Sequence, residues 1–280
     1  MILWATILGA AVAAVVGGET VAGGAAAADP SGQPAPVGDI RGWHEIFVDN
    51  FAGENVPLGR FPAAVSRRWG DYPDGWHDTT GHGTYMPTRV VSIANGVMDI
   101  HLHSAGGEHL VAAPYPILPG RGGRLYGRYV IRYRIEPALG YKTSWLLWPE
   151  SENWPHDGEI DFPEGDIARP AYMCGYVHHQ GATSGSDQDA FCTRAATFDT
   201  WHTAVIQWTA RAVTFTLDGR RVGRGTQRIP DTPMWWVLQT ETSLTAAPPP
   251  DSSSAHIQID WVAIYAPARG QTRASRTRAG

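Results

Sequence analysis

The period of the hydrophobic residues constrains this chain most: wherever it can be read, it is two. Val97-Met98-Asp99-Ile100-His101-Leu102-His103 alternates, and so does Tyr129-Val130-Ile131-Arg132-Tyr133-Arg134-Ile135. Alternation sends successive side chains to opposite faces of a strand. Ala204 to Leu217 reads as two strands with a turn near Thr209-Ala210-Arg211. Asp218-Gly219 then supplies a hairpin turn into Arg220-Arg221-Val222. Trp235 to Thr240 and Ile257 to Tyr265 complete a set of short, regularly spaced strands, and no long segment carries a helical period. The pattern predicts an all-β protein, an antiparallel β-sandwich. The 32 Gly and 21 Pro suit its turns, and the 12 Trp suit its core.

Charge and cysteine content narrow the class. The net charge is −5, with no basic cluster in the body of the chain, which argues against a nucleic-acid partner. Lys142 is the only lysine. Residues 1–28 read as a signal peptide: Ile2 to Val16 is apolar and Ala25-Ala26-Ala27-Ala28 offers a small-residue cleavage site. No basic residue precedes Arg41, so the usual charged leader is missing. Gly17, Gly18 and Glu19 break the apolar run short of the ~20 residues a membrane anchor needs. The expectation is therefore a secreted, extracellular protein with no membrane attachment in its mature form. Cys174 and Cys192 are the only cysteines, and export would let them form a disulfide. Residues 29–40 are Pro/Gly/Ala-rich and read as a flexible lead-in, 41–267 as one domain, and 268–280 as a disordered Arg-containing tail. A monomer is expected.

The stretch Glu159-Ile160-Asp161-Phe162-Pro163-Glu164 packs three carboxylates into six residues. Glu159 and Asp161 share one face of a strand, but Glu164, five positions from Glu159, falls out of phase. One bulged residue restores the phase, and Pro163 sits where a sheet tolerates proline. Three acids on one face are costly to hold, so the row points to chemistry rather than architecture.

With its flanks this row resembles a known family. Trp154-Pro155-His156-Asp157-Gly158-Glu159-Ile160-Asp161, followed by Phe162-Pro163-Glu164, is similar to the Trp-Pro…Gly-Glu-Ile-Asp-x-x-Glu signature of glycoside hydrolase family 16. The spacing resembles the bulged, laminarinase-like branch rather than the shorter lichenase pattern. Phe47-Val48-Asp49-Asn50-Phe51, Tyr126-Gly127-Arg128-Tyr129, Gly175-Tyr176-Val177-His178, Trp201-His202 and Ile259-Asp260-Trp261-Val262 resemble further family landmarks in the expected order. Two stretches depart. Tyr141-Lys142-Thr143-Ser144 stands where the family usually has Trp-Pro-Ala-Phe, and Gln239 where it has Asn.

The resemblance implies a concanavalin-like jelly roll with a concave substrate cleft, and a retaining endo-acting glycoside hydrolase. Its substrate would be a β-linked polysaccharide, most simply a β-1,3- or β-1,3-1,4-glucan. It makes Glu159 the nucleophile, Glu164 the general acid/base, and Asp161 the residue that orients Glu159 and separates the proton affinities. It places Trp154 and His178 in the cleft, with Trp145, Trp148 and Gln239 as further substrate-binding candidates, and one ring of the Trp235-Trp236 pair. No cofactor is required by this chemistry. Asp260 matches an aspartate that helps hold a structural calcium in family members, although a carboxylate binding backbone or Arg fits as well. His101 and His103 share a strand face, but no third metal ligand accompanies them. A non-catalytic carbohydrate-binding protein of the same fold is the alternative, as is a transglycosylase or galactan hydrolase of the same family.

Overall fold

The computed structural model describes residues 29–268. The expected signal peptide, and all but the first residue of the expected tail, lie outside those residues. In chain order the strands are β1 (Trp43–Asp49), β2 (Trp69–Gly70), β3 (Gly83–Tyr85), β4 (Val91–Ala94), β5 (Val97–Ala105), β6 (Glu108–Val111), β7 (Tyr115–Pro116), β8 (Gly127–Ile135), β9 (Tyr141–Pro149), β10 (Glu159–Asp166), β11 (Cys174–His178), β12 (Gln188–Cys192), β13 (His202–Thr209), β14 (Ala212–Leu217), β15 (Arg220–Gly225), β16 (Met234–Thr242) and β17 (Ser254–Pro267). One four-residue helix, Pro87–Val90, precedes β4.

Most strands enter a ten-stranded sheet whose main path runs β15-β14-β13-β8-β17-β5-β6-β3, with β1 on β17 and β4 on β5. A second sheet runs β12-β11-β10-β9-β16. Pairing in the five-stranded sheet is antiparallel throughout. The strands read from alternation all form, and Asp218 (φ 48°) and Gly219 (φ 75°) make the positive-φ turn joining β14 to β15. Strand β9 shows no alternation of polarity because both of its faces are buried.

The inner faces of the two sheets make one large core. Tyr133 of β8 meets Trp145 of β9 edge-on, with ring centroids 4.9 Å apart. Burying rings of this size stabilises by about 2–3 kcal/mol each. Trp145 is completely buried here, so the expectation that it could line the substrate cleft is corrected. The odd-numbered residues of β9 face the core, and its even-numbered residues face outward.

The lead-in 29–40, expected to be flexible, is held against the outer face of the ten-stranded sheet. Ser31 N donates to Asp260 Oδ2 at 3.2 Å, Trp261 Nε1 donates to Gln33 O at 2.9 Å, and Ala35 packs on the Trp43–Trp261–Tyr265 cluster. No helix among the described residues is long and apolar enough to cross a membrane.

Candidate active site

The acidic strand carries the bulge that phase demanded. Against β9, Asp161 pairs with Leu146 and Glu164 with Ser144, so three steps on β10 oppose two on its neighbour. Against β11 the same shift falls between the Asp161–Tyr176 and Glu164–Cys174 pairs. Ile160 and Phe162 are buried in the core, while Glu159, Asp161 and Glu164 line a cleft of about 610 Å³ on the outer face of the five-stranded sheet. A cis peptide bond precedes Pro163. The disulfide Cys174–Cys192 forms, joining β11 to β12 at a directly paired position.

Electrostatics along the row are uneven. Asp161 is buried, and neither of its oxygens has a nitrogen or hydroxyl donor. Burial pushes its carboxyl well above the ordinary range, and the neighbouring Glu164 adds to this. Glu159 is raised too, by burial first and then by Asp161, while His178 opposes the shift. The two carboxyls therefore hold a proton between them more readily than either would alone.

His178 closes this group from β11. Its Nδ1 donates to Gly185 O at 2.8 Å, which turns Nε2 toward Asp161 Oδ2 at 3.4 Å and Glu159 Oε2 at 3.8 Å. Ligating atoms of Glu159, Asp161 and His178 lie within 4.8 Å of one another, and no other such group of three occurs among the described residues. His101 and His103 instead join His256 in a stack on the opposite sheet, outside any such group.

Aromatic rings border the carboxylates. Trp154, 40% exposed, stacks on Trp148 with centroids 6.0 Å apart and planes 20° from parallel. Trp148 Nε1 donates to Glu152 Oε2 at 2.9 Å. A Cβ on Gly185 would stand 2.5 Å from the Trp154 ring, so this close approach requires glycine. Gln239 lines the cleft from β16. Trp236 turns into the core against Tyr129, while Trp235 opens onto an adjoining groove of about 380 Å³. That groove shares Tyr72, Trp76, Trp148 and Glu152 with the cleft and adds Tyr115.

Sequence reasoning missed several contributors. Lys142 and Glu241 face the cleft from β9 and β16, and Lys142 pairs with both Glu241 and Glu164. The signal available for Lys142 was its phase: it shares the even positions of β9 with Ser144 and Trp148. Tyr72, Trp76 and Glu152 come from loops, whose placement no local pattern fixes.

Asp260, the candidate calcium ligand, is buried on β17. One oxygen accepts the Ser31 N–H and the other, Oδ1, has no partner. The backbone role is thus the one observed, and Oδ1 is the single side-chain oxygen this residue has left to offer a cation.

Comparison with known proteins gives the family and the fold. The family model described as "Glycosyl hydrolases family 16" matches residues 119–263. Among solved structures, the chain is similar to SCLam, a non-specific endo-β-1,3(4)-glucanase, with TM-score 0.67, 19% identity, and 83% of this chain and 94% of that chain covered. The laminarinase from Rhodothermus marinus gives TM-score 0.64 and 22% identity over 81% and 98%. The catalytic domain of an endo-1,3-β-glucanase from Thermotoga petrophila RKU-1 gives 0.64 and 18% over 83% and 100%. Identities this low speak for the fold. No curated protein matches the chain significantly.

Proposed function

From the premise that the chain belongs to glycosyl hydrolases family 16, and is therefore a glycoside hydrolase, we propose a retaining, endo-acting enzyme that cleaves a neutral β-linked glucan. The observation that carries this reading is the row Glu159, Asp161, Glu164 on one face of a bulged strand, at the floor of an open cleft.

In the first half of the reaction Glu164 protonates the glycosidic oxygen, and the bond to the anomeric carbon breaks with its electron pair leaving on that oxygen. A Glu159 oxygen forms the new bond to the anomeric carbon. In the second half, water attacks that carbon, gives its proton to Glu164, and the bond to Glu159 breaks with its electron pair returning to the carboxylate. Direct attack calls for carboxyls about 5–5.5 Å apart in the working complex and leaves the anomeric configuration unchanged. Asp161 and His178 flank Glu159, and His178 opposes the rise that burial and Asp161 give its carboxyl, which favours the ionised nucleophile.

Neutral substrates are favoured by charge. Glu152, Glu159, Glu164 and Glu241 line the cleft against the single ammonium of Lys142, so sulfated or uronic chains would be repelled. The run-on of the cleft into the aromatic groove supports internal cleavage of a long chain, with rings stacking on pyranose faces. Glucan as the sugar, and a β-1,3 or mixed β-1,3-1,4 linkage, are inferred from those of the similar solved structures that are described as endo-β-1,3- and β-1,3(4)-glucanases.

The test is a panel of laminarin, mixed-linked glucan, a neutral galactan and a sulfated galactan, with the anomer of the first product read by NMR. Retained products from the neutral glucans are expected. Inverted products would refute the mechanism, products from the galactans alone would refute the sugar, and predominant chain transfer would assign a transglycosylase. The reading includes export, which the disulfide supports, and a monomeric catalytic unit. Absence of the chain from the culture medium, or a dimer mass in solution, would overturn those two parts.

A further inference from the structure

Lys142 is the chain's single lysine, and its side chain is only 5% exposed. Its Nζ lies 2.6 Å from Glu164 Oε1 and 3.7 Å from Glu241 Oε2. In register, Lys142 faces Glu241 across β16 on one side and Asp166 across β10 on the other. A buried ammonium survives only with close counter-charges. Burial alone would drag it down, but Glu164 and Glu241 outweigh burial and keep it charged above its ordinary range.

Glu241 does more than neutralise. Its Oε1 accepts Thr79 N at 3.1 Å, Thr79 Oγ1 at 2.5 Å and Tyr85 OH at 3.4 Å. Fixed contacts thus lead from the Thr79 loop through Glu241 and Lys142 to Glu164. A catalytic acid must be presented at a defined point, because a misplacement of about 1 Å can cost ~10²-fold in rate. As its proton leaves, negative charge develops on the Glu164 carboxylate at the end where the ammonium waits.

We propose that Lys142 is a positioning residue for this reaction: anchored by Glu241, its ammonium holds the Glu164 carboxyl in place and stabilises the charge that develops there when the proton is given up. This rests on the assignment of Glu164 as acid/base. The groups that face Glu164 are Lys142 from β9, Glu241 from β16, Tyr176 and His178 from β11, and Glu159, Asp161 and Asp166 from its own strand. Lys142 is the only lysine or arginine among them, so its removal is not compensated by a neighbour.

The experiment compares Lys142→Met, Lys142→Arg and Glu241→Gln with the native enzyme on laminarin, following kcat, KM and the pH profile of kcat/KM, with thermal melts to establish folding. Lys142→Met should lower kcat by up to ~10²-fold at nearly constant KM. Its alkaline limb should move upward, because a carboxyl that loses a cationic neighbour favours its neutral form. Lys142→Arg should keep the native limb. Glu241→Gln should move the limb downward, since the ammonium then serves Glu164 alone. Folded Lys142→Met with an unmoved limb would overturn the proposal, as would Lys142→Arg shifted as far as Lys142→Met. Should Lys142→Met fail to fold, an unmoved or upward limb in Glu241→Gln overturns it equally. A native enzyme that hydrolyses laminarin while its variants keep their limbs refutes the role of Lys142 alone. Native hydrolysis that survives Glu164→Ala unchanged refutes the assignment beneath it.

Discussion

Strands β8 and β9 are neighbours in sequence, each nine residues long, and both give one face to the same core. Their other faces differ. On β8 the outward cations Arg128 and Arg132 are part-exposed and Arg134 exposed, and they reach neutral partners: Gln207 at 3.0 Å, Thr203 at 3.2 Å and Gln258 at 2.7 Å. On β9 the outward cation is Lys142, buried and paired with two carboxylates. The β8 guanidiniums keep part of their surface in water, so their charge does not depend on a built counter-charge. The cleft walls take that water away, so each charge there needs a built counter-charge. Substitutions should therefore be cheap on the outer face of β8 and consequential on that of β9 and its partner β10.

The largest effects should come from the acidic row. Glu164→Ala should lower kcat on glucan by about 10²–10⁴-fold, the usual share of a positioned acid/base. Glu159→Ala should abolish retained product altogether. Arg132→Gln on β8 should leave kcat/KM within about twofold. Initial rates of reducing-sugar release check all three. A comparable loss in Arg132→Gln would erase the distinction between the two faces.

The next effect is structural. The Cys174–Cys192 bridge closes a segment with a sequence separation of 18 and lies beside Glu164 in the ladder. Replacing both cysteines with serine should lower unfolding free energy by about 3 kcal/mol, measured by urea titration. β15, at the edge of the other sheet, has no such tie. A double mutant as stable as the native chain would show that the cleft edge needs no covalent support. Smaller still is the groove: Trp235→Ala should raise KM on laminarin several-fold, worth about 1 kcal/mol, and leave kcat nearly unchanged. An unchanged KM would remove the groove from the binding surface.

The same contrast explains how much was legible beforehand. Strands with one wet face, such as β5 and β8, announce themselves by alternation. β9 does not, because Lys142, Thr143 and Ser144 are buried on both faces for different reasons. The bulge at Pro163 could be read because phase alone required it, and the resemblance made the carboxylate row specific. Trp145 and Trp148 could not be separated by residue type, since both are tryptophans on one strand. Their parity decides: three positions apart, they face opposite sides. The Glu241–Lys142–Glu164 chain depended on register between β16, β9 and β10, and register is a property of the sheet, not of any one segment.

The smallest predicted effect bears most directly on the cost of the cleft. Burial raises the carboxyl of Asp161 well above the range it has in the unfolded chain, about 4. The native state therefore binds a proton that the unfolded state has already released. Stability tied to this group is greatest in acid and is lost as pH rises from about 4 through the raised range. Glu159, raised in the same direction, contributes with the same sign. Asp161→Asn cannot ionise, so it should remove this loss. At pH 7 it should melt above the native enzyme by on the order of 2–4 °C, the equivalent of about 1 kcal/mol in a domain of this size. Near pH 4 the two should melt together. Differential scanning calorimetry across that range checks the sign: a variant that melts below the native enzyme at pH 7 would mean that Asp161 is held by attractions stronger than its burial. The expected result would make the acidic row a place where the fold gives up stability for the reaction, as the outer face of β8 has no need to do.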